Sequence, residues 1–182
     1  MKFNLLISSG VVLLVTCIFL IYFYTHINVK TVSGDEQALM CGYVSYLDSY
    51  LCIDMDGKVV SVTANTDADL PVIEGLKFKQ FTVGDYLETE DNGAFNAIAA
   101  IINKAKKYEL GDHFIHKIDV TNLENIHLYT KNICVTLGST YNVDHKIRTL
   151  KEIAGSINID ENVKGLLDIS VIGKRYIFTI LR

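Results

Sequence analysis

The sequence predicts an α+β protein: a single N-terminal transmembrane helix followed by one mostly antiparallel β-sheet domain with two helices. Three observations carry this. Residues 5–24 (LLISSGVVLLVTCIFLIYFY) hold no charge, and at ~1.5 Å per residue a helix of that length matches the ~30 Å hydrocarbon core of a bilayer. Beyond them run short β-prone segments bounded by Gly, Asp and Asn. Two longer segments carry apolar residues at three- and four-residue spacing. These two do not alternate one for one with the strands, which favours α+β over a doubly wound sheet. The chain divides into 1–24, a short N-terminus and the transmembrane helix; 25–40, a tether; and 41–182, the folded domain.

The N-terminal segment differs from a cleaved signal peptide, which has a shorter apolar core and a small-residue cleavage site. Here the run ends in Tyr22, Phe23, Tyr24, Thr25 and His26, and amphipathic rings such as Tyr22 and Tyr24 suit a membrane interface. Cys17 does not read as a lipidation site, because Thr16 precedes it and the apolar run continues past it. Lys2 on one side and His26 and Lys30 on the other nearly balance the positive-inside bias. The short leader favours a single-pass plasma-membrane protein with its C-terminal domain extracytoplasmic.

A net charge of −4 without a basic cluster argues against nucleic acid as the main partner. Cys41, Cys52 and Cys134 are an odd number without metal-type spacing. They read as small buried hydrophobes, with room for one disulfide but not for a disulfide framework.

The elements follow in order. Cys41–Leu47 forms a strand. Leu51–Asp54, the turn Met55-Asp56-Gly57 and Lys58–Val62 form a hairpin, since Asp-Gly supplies the positive φ that a tight turn needs. Leu70–Ile73 is extended, because Pro71 biases Leu70 away from helix, and Glu74-Gly75 turns. Asp91–Tyr108 is a helix with the stripe Phe95, Ile98, Ile102 and Ala105, capped by Asp91 or Asn92, with Lys104, Lys106 and Lys107 favourable at its end. Ile115–Val120, Ile126–Thr130 and Ile133–Leu137 are short strands, the last broken by Gly138. Asn142–Ala154 is the second helix, with Val143, Ile147, Leu150 and Ala154 on one stripe and Gly155 as its stop. Leu166–Ile172 is a strand with Leu167, Ile169 and Val171 on one face and Asp168 and Ser170 on the other. Gly173-Lys174 turns the chain into a last strand, Tyr176–Leu181.

Catalytic and metal motifs are weak. His113-x-x-His116 is half a metal site on a helix, but a β-prone run follows it, and on a strand the two rings diverge. Asp54, Asp56 and Gly57 open like a calcium loop, yet the sequence continues Lys58-Val59-Val60 without the acidic residue such a loop needs. There is no GxSxG, no GxGxxG after a strand and no phosphate loop. The reading is therefore not an enzyme, with no metal and no cofactor. The C-terminal hairpin carries more functional content. A terminal hairpin at a sheet edge exposes unpaired N–H and C=O groups that accept a strand from a partner, and Lys174 and Arg175 at its turn could pair with an acidic partner or merely guard the edge.

Several stretches together resemble the membrane-anchored bacterial cell-division family FtsQ/DivIB, over about residues 43–172. Tyr50-Leu-Cys-Ile-Asp54-Met-Asp-Gly57-Lys-Val-Val60 resembles its hairpin, and Leu70-Pro-Val-Ile-Glu-Gly-Leu76 its "LPVI.GL" segment. Ile118-Asp-Val-Thr-Asn-Leu-Glu-Asn-Ile126-His-Leu-Tyr129, Val135-Thr-Leu-Gly138, Lys146–Ile153 and Leu167-Asp168-Ile169-Ser170 are similar to its following pieces, in order. The resemblance implies an extracytoplasmic β-domain that serves as an assembly module and receives other membrane-anchored division proteins by strand addition. Carried over, the partner-binding residues are Asp168, Ile169, Ser170, Val171, Lys174, Arg175, Tyr176, Ile177 and Phe178. Ser170 stands where the family carries Arg, so no salt bridge is expected there. The family also places a POTRA domain of ~70 residues between anchor and β-domain. Here residues 25–40 alone occupy that interval, with Ile27–Gly34 similar to a POTRA opening strand. The expected function is a scaffold of the division complex that binds no nucleic acid and no small-molecule substrate. The alternative is an anchored extracytoplasmic sensory or ligand-binding domain, which requires an apolar cavity with a few polar groups.

Overall fold

The structure, a computed structural model, describes residues 40–66, 69–91, 93–110, 114–156, 164–173 and 176–181. The expected membrane span at 5–24 and the tether up to residue 39 lie outside them. Among the described residues, no helix is long and apolar enough to cross a membrane.

The strands are β1 (Met40–Tyr46), β2 (Ser49–Asp54), β3 (Val59–Thr63), β4 (Val72–Glu74), β5 (Lys117–Asp119), β6 (Ile126–Tyr129), β7 (Ile133–Gly138), β8 (Lys164–Asp168) and β9 (Ile177–Leu181). Among the described residues the helices are α1 (Gly93–Lys107), between β4 and β5, and α2 (Val143–Ser156), between β7 and β8. Met40, expected in the tether, already belongs to β1. All the strands form one sheet, in the order β3-β2-β1-β4-β5-β6-β7-β8-β9. The hairpins β1–β2, β2–β3, β5–β6, β6–β7 and β8–β9 are antiparallel. The joins β1–β4, β4–β5 and β7–β8 are parallel, so the sheet is mixed, with antiparallel pairs in the majority.

Local chemistry explains the elements. At the β2–β3 hairpin the Gly57 N–H donates to the Asp54 carbonyl at 3.1 Å, and Gly57 takes φ +84°. This is a three-residue hairpin loop closed by a left-handed glycine. The Asp54 carboxylate accepts the N–H groups of Asp56 (3.0 Å) and Lys58 (2.8 Å). Its task is therefore to hold the turn. Helix α1 starts two residues later than expected, where the Asp91 carboxylate accepts the Gly93 N–H at 2.8 Å, the N-cap bond. Its buried face is Ala94, Ala97, Ile98, Ile101 and Ile102; Phe95 and Ala105 of the expected stripe flank that face, half-buried. Helix α2 runs through Gly155 instead of stopping there. The first turn of α2 is tied to the end of α1. The Asp144 Oδ1 lies 2.8 Å from the amino groups of both Lys104 and Lys107, and Tyr108 donates to its Oδ2 at 2.6 Å.

The core is a set of cross-strand rows. One runs in register from Leu51 through Val44, Ile73, Ile118, Leu128, Val135 and Leu167 to Phe178. All but Phe178 are at most 3 % exposed, and they pack with the buried faces of both helices. Each such Leu or Ile stabilises the fold by ~1.5–3 kcal/mol relative to exposure. The opposite face carries a more polar row that includes Lys117, Tyr129, Cys134, Leu166 and Thr179. There the Lys117 amino group sits 4.1 Å above the Tyr129 ring and 3.1 Å from Glu74.

Candidate partner-binding edge

Among the described residues the sheet has two edges, β3 and β9. The entry to β3 is covered: Val59 donates to the Asp85 carbonyl (2.9 Å), Gly84 to that of Val59 (2.8 Å) and Leu87 to that of Gly57 (2.9 Å). β9 pairs with β8 on one side, from Lys164↔Leu181 to Asp168↔Ile177, and no described strand lies on its other side. The register places Ile177, Thr179 and Leu181 on the polar face of the sheet and Phe178 and Ile180 on the helix-covered face.

β9 is unusual for an edge. Strands with one solvated face alternate apolar and polar residues, but here Ile177 (64 % exposed) and Leu181 stand on one face and Ile180 (61 %) on the other. Leu166 of β8, itself exposed, extends the apolar surface beside Thr179.

The residues expected to bind a partner separate into distinct environments. The expected strand 166–172 is observed at 164–168, after which the chain bends. Asp168 ends β8, where its carboxylate accepts the Ser170 N–H at 2.9 Å. Hydrogen bonds from the Ser170 side chain and backbone hold that carboxyl below its ordinary range. Ile169 is 1 % exposed and part of the core; its N–H donates to the Thr136 carbonyl at 3.0 Å. Ser170 is half-buried against Gly138. Val171, expected on one face with Leu167 and Ile169, is exposed while those two are buried, because the strand has already ended. β8 is paired with β7 and β9 at once, so no further strand can add to it. Tyr176 precedes β9 with its hydroxyl 3.4 Å from the Thr149 Oγ1 of α2. Ile177 is on the open edge, and Phe178 is half-buried against the core. Lys174 and Arg175 lie outside the described residues. Thr179, Ile180 and Leu181, outside the expected set, share the edge with Ile177. The unbroken run Ile177-Phe178-Thr179-Ile180-Leu181, apolar on both faces once placed on a strand, was the available signal.

Other candidate chemistry is sparse. His113 lies outside the described residues. The His116 backbone serves the sheet, donating to the Tyr129 carbonyl and accepting from the Val72 N–H, both at 2.8 Å. Among the described residues no group of three or more His, Cys, Asp or Glu could hold a metal ion. Cys41, Cys52 and Cys134 are free thiols. Burial pushes Cys41 up to about 12 and, as the leading cause, raises Cys52 and Cys134, which removes thiolate character at neutral pH. One cavity of about 340 Å³ opens between Pro71, Ile102, Leu110 and Ile118, with Asp69, Lys106 and Glu109 also lining it.

The profile described as "FtsQ/DivIB, C-terminal related" matches residues 44–172. The chain is 26% identical over 101 residues to "Cell division protein DivIB" of Clostridium botulinum strain Hall, and 25% identical over 101 residues to that of strain Loch Maree. Each alignment covers 56% of this chain and spans 39% of the length of the relative. The major extracytoplasmic domain of the trans isomer of the bacterial cell division protein DivIB from Geobacillus stearothermophilus superposes with a TM-score of 0.38 at 15% identity, covering 69% of this chain and 96% of that one.

Proposed function

The chain belongs to the FtsQ/DivIB C-terminal related family, and from that premise we propose that it is a scaffold of the bacterial division complex. It is anchored in the plasma membrane by residues 5–24, holds its folded domain on the extracytoplasmic side, and receives other membrane-anchored division proteins by strand addition at β9. It works as an assembly module and carries no catalytic step. The observation that carries the reading is the edge itself: among the described residues β9 is unpaired along one side, with exposed Ile177, Ile180 and Leu181 on its two faces. Edge strands left without charges, proline or a covering loop are templates for another strand, and backbone hydrogen bonds supply the affinity in that mode. A partner strand fitting both faces is itself apolar on both faces.

The test introduces lysine at the edge of the full-length protein in dividing cells. Ile177→Lys/Ile180→Lys changes two exposed side chains and leaves the core untouched. It should stay folded and membrane-bound, yet lose its crosslinks to membrane-anchored division proteins. Undiminished crosslinking would reject β9 as the docking strand.

The cavity near Pro71 is the one observation that favours the alternative, an anchored ligand-binding domain. That reading requires Ala105→Trp, which fills the space, to leave assembly intact while abolishing ligand-induced thermal stabilisation by cell extract. Loss of midcell assembly in the β9 variant, with no such stabilisation, decides for the scaffold.

A further inference from the structure

We propose that Gly165 and Phe178 form a seat and peg that hold β9 in its docking position. This rests on the reading of β9 as the docking edge. Within β9, every residue except Phe178 is exposed. The ring of Phe178 does not stand over its own register partner, Leu167, alone; it leans diagonally across β8 onto Gly165, the reach expected of a large aromatic residue across a strand pair. A Cβ placed on Gly165 would come within 2.5 Å of the ring Cζ and 2.6 Å of its Cε2. Side-chain carbons do not pack that closely, so the missing Cβ is what makes the seat. Ile133, Val135, Leu150, Ile153 and Leu167 line, together with the ring, a narrow apolar gap with room of only about 10 Å³, the lower limit for a single water molecule.

The consequence concerns a strand with few other attachments. Ile177, Thr179 and Leu181 face solvent on one side, and Ile180 on the other. Beyond its ladder with β8, the described side-chain attachments of this segment are the Phe178 ring and the Tyr176–Thr149 contact just before it. Phe178, expected to touch a partner, is therefore a positioning residue, and Gly165 is a positioning residue that acts through it. An alanine at 165 drives the ring out, and β9 loses its register against β8 while the rows from β1 to β7 stay packed.

Amide hydrogen exchange on the purified full-length protein, without any partner, tests the pair. Gly165→Ala and Phe178→Ala should each speed exchange across residues 177–181 by about tenfold or more, while β5–β7 stay within about twofold of the wild type, the mark of a locally released segment. Phe178→Leu in the Gly165→Ala background shortens the peg and should restore most of the protection. The proposal is overturned if β9 exchange is unchanged in Gly165→Ala, if exchange speeds equally throughout the sheet, or if the double variant is no better than the single. Ile177→Lys separates the two claims: it should block docking without loosening β9. A Gly165→Ala protein whose β9 is released but whose partner crosslinks persist refutes the docking reading and leaves the peg standing.

Discussion

Ile169 and Ile177 lie eight positions apart and have opposite roles. Ile169 is fully buried at 1 % exposure, whereas Ile177 is 64 % exposed. Truncating the first removes buried methyl groups and leaves a void, so Ile169→Ala should lower unfolding free energy by ~2–4 kcal/mol. Ile177→Ala should stay within ~0.5 kcal/mol of the wild type. Urea titration of the purified protein distinguishes them; equal costs would mean the two share an environment. Asp144 gives a second residue-scale prediction. Hydrogen bonds from Lys104, then Lys107 and Tyr108, hold its carboxyl well below the ordinary range. A depressed folded pKa contributes stability above the unfolded value of ~3.9 that is lost as pH falls through the folded one. Asp144→Asn should therefore melt below the wild type at pH 7, and the gap should close as pH drops below about 4. A gap that widens in acid would contradict the ion-pair account.

At the scale of elements, what was legible in the sequence is what is local. The Asp54–Lys58 hairpin, a helix cap at Asp91 or Asn92, the short strands β6 and β7 and the two helices all follow from turn chemistry, β propensity and periodicity. The parallel joins β1–β4, β4–β5 and β7–β8 were not legible. They connect residues far apart in the chain, and no turn motif marks a parallel register. Alternation places Ile169 on the same face as Leu167, and both are buried, but nothing local reveals that β8 is enclosed by β7 and β9 or that it ends at Asp168. Of the candidate site, the terminal hairpin is legible from its alternation and its turn, whereas which of its two strands lies at the edge among the described residues depends on the parallel β7–β8 join. Gly75 shows a local signal with a long-range cause. It takes φ +89°, and a Cβ there would meet the Thr121 backbone nitrogen at 2.2 Å. The end of β4 can thus lie against the chain leaving β5, where Val120 donates to the Glu74 carbonyl at 2.9 Å. Gly75→Ala should cost ~1–3 kcal/mol or prevent folding, read as a lower thermal midpoint; a neutral substitution would show that this approach is not needed.

At the scale of the whole molecule, the proposed scaffold combines an anchor at residues 5–24 with a sheet that has a helix-covered face and, among the described residues, an edge strand β9 with nothing paired along its outer side. A fluorescent fusion should therefore gather at midcell in dividing cells, and the Ile177→Lys/Ile180→Lys protein, though folded and membrane-bound, should gather less. Uniform envelope fluorescence of the wild type would remove the division role. The most direct measurement is site-specific photo-crosslinking in living cells, with the reactive residue placed at Thr179 on β9 and, as a control, at Val62 on β3. The account predicts a crosslink from position 179 to a segment of a membrane-anchored division protein that runs alongside β9, and none to that protein from position 62. A silent position 179 in cells that divide normally, or equal crosslinking from both edges, would contradict it.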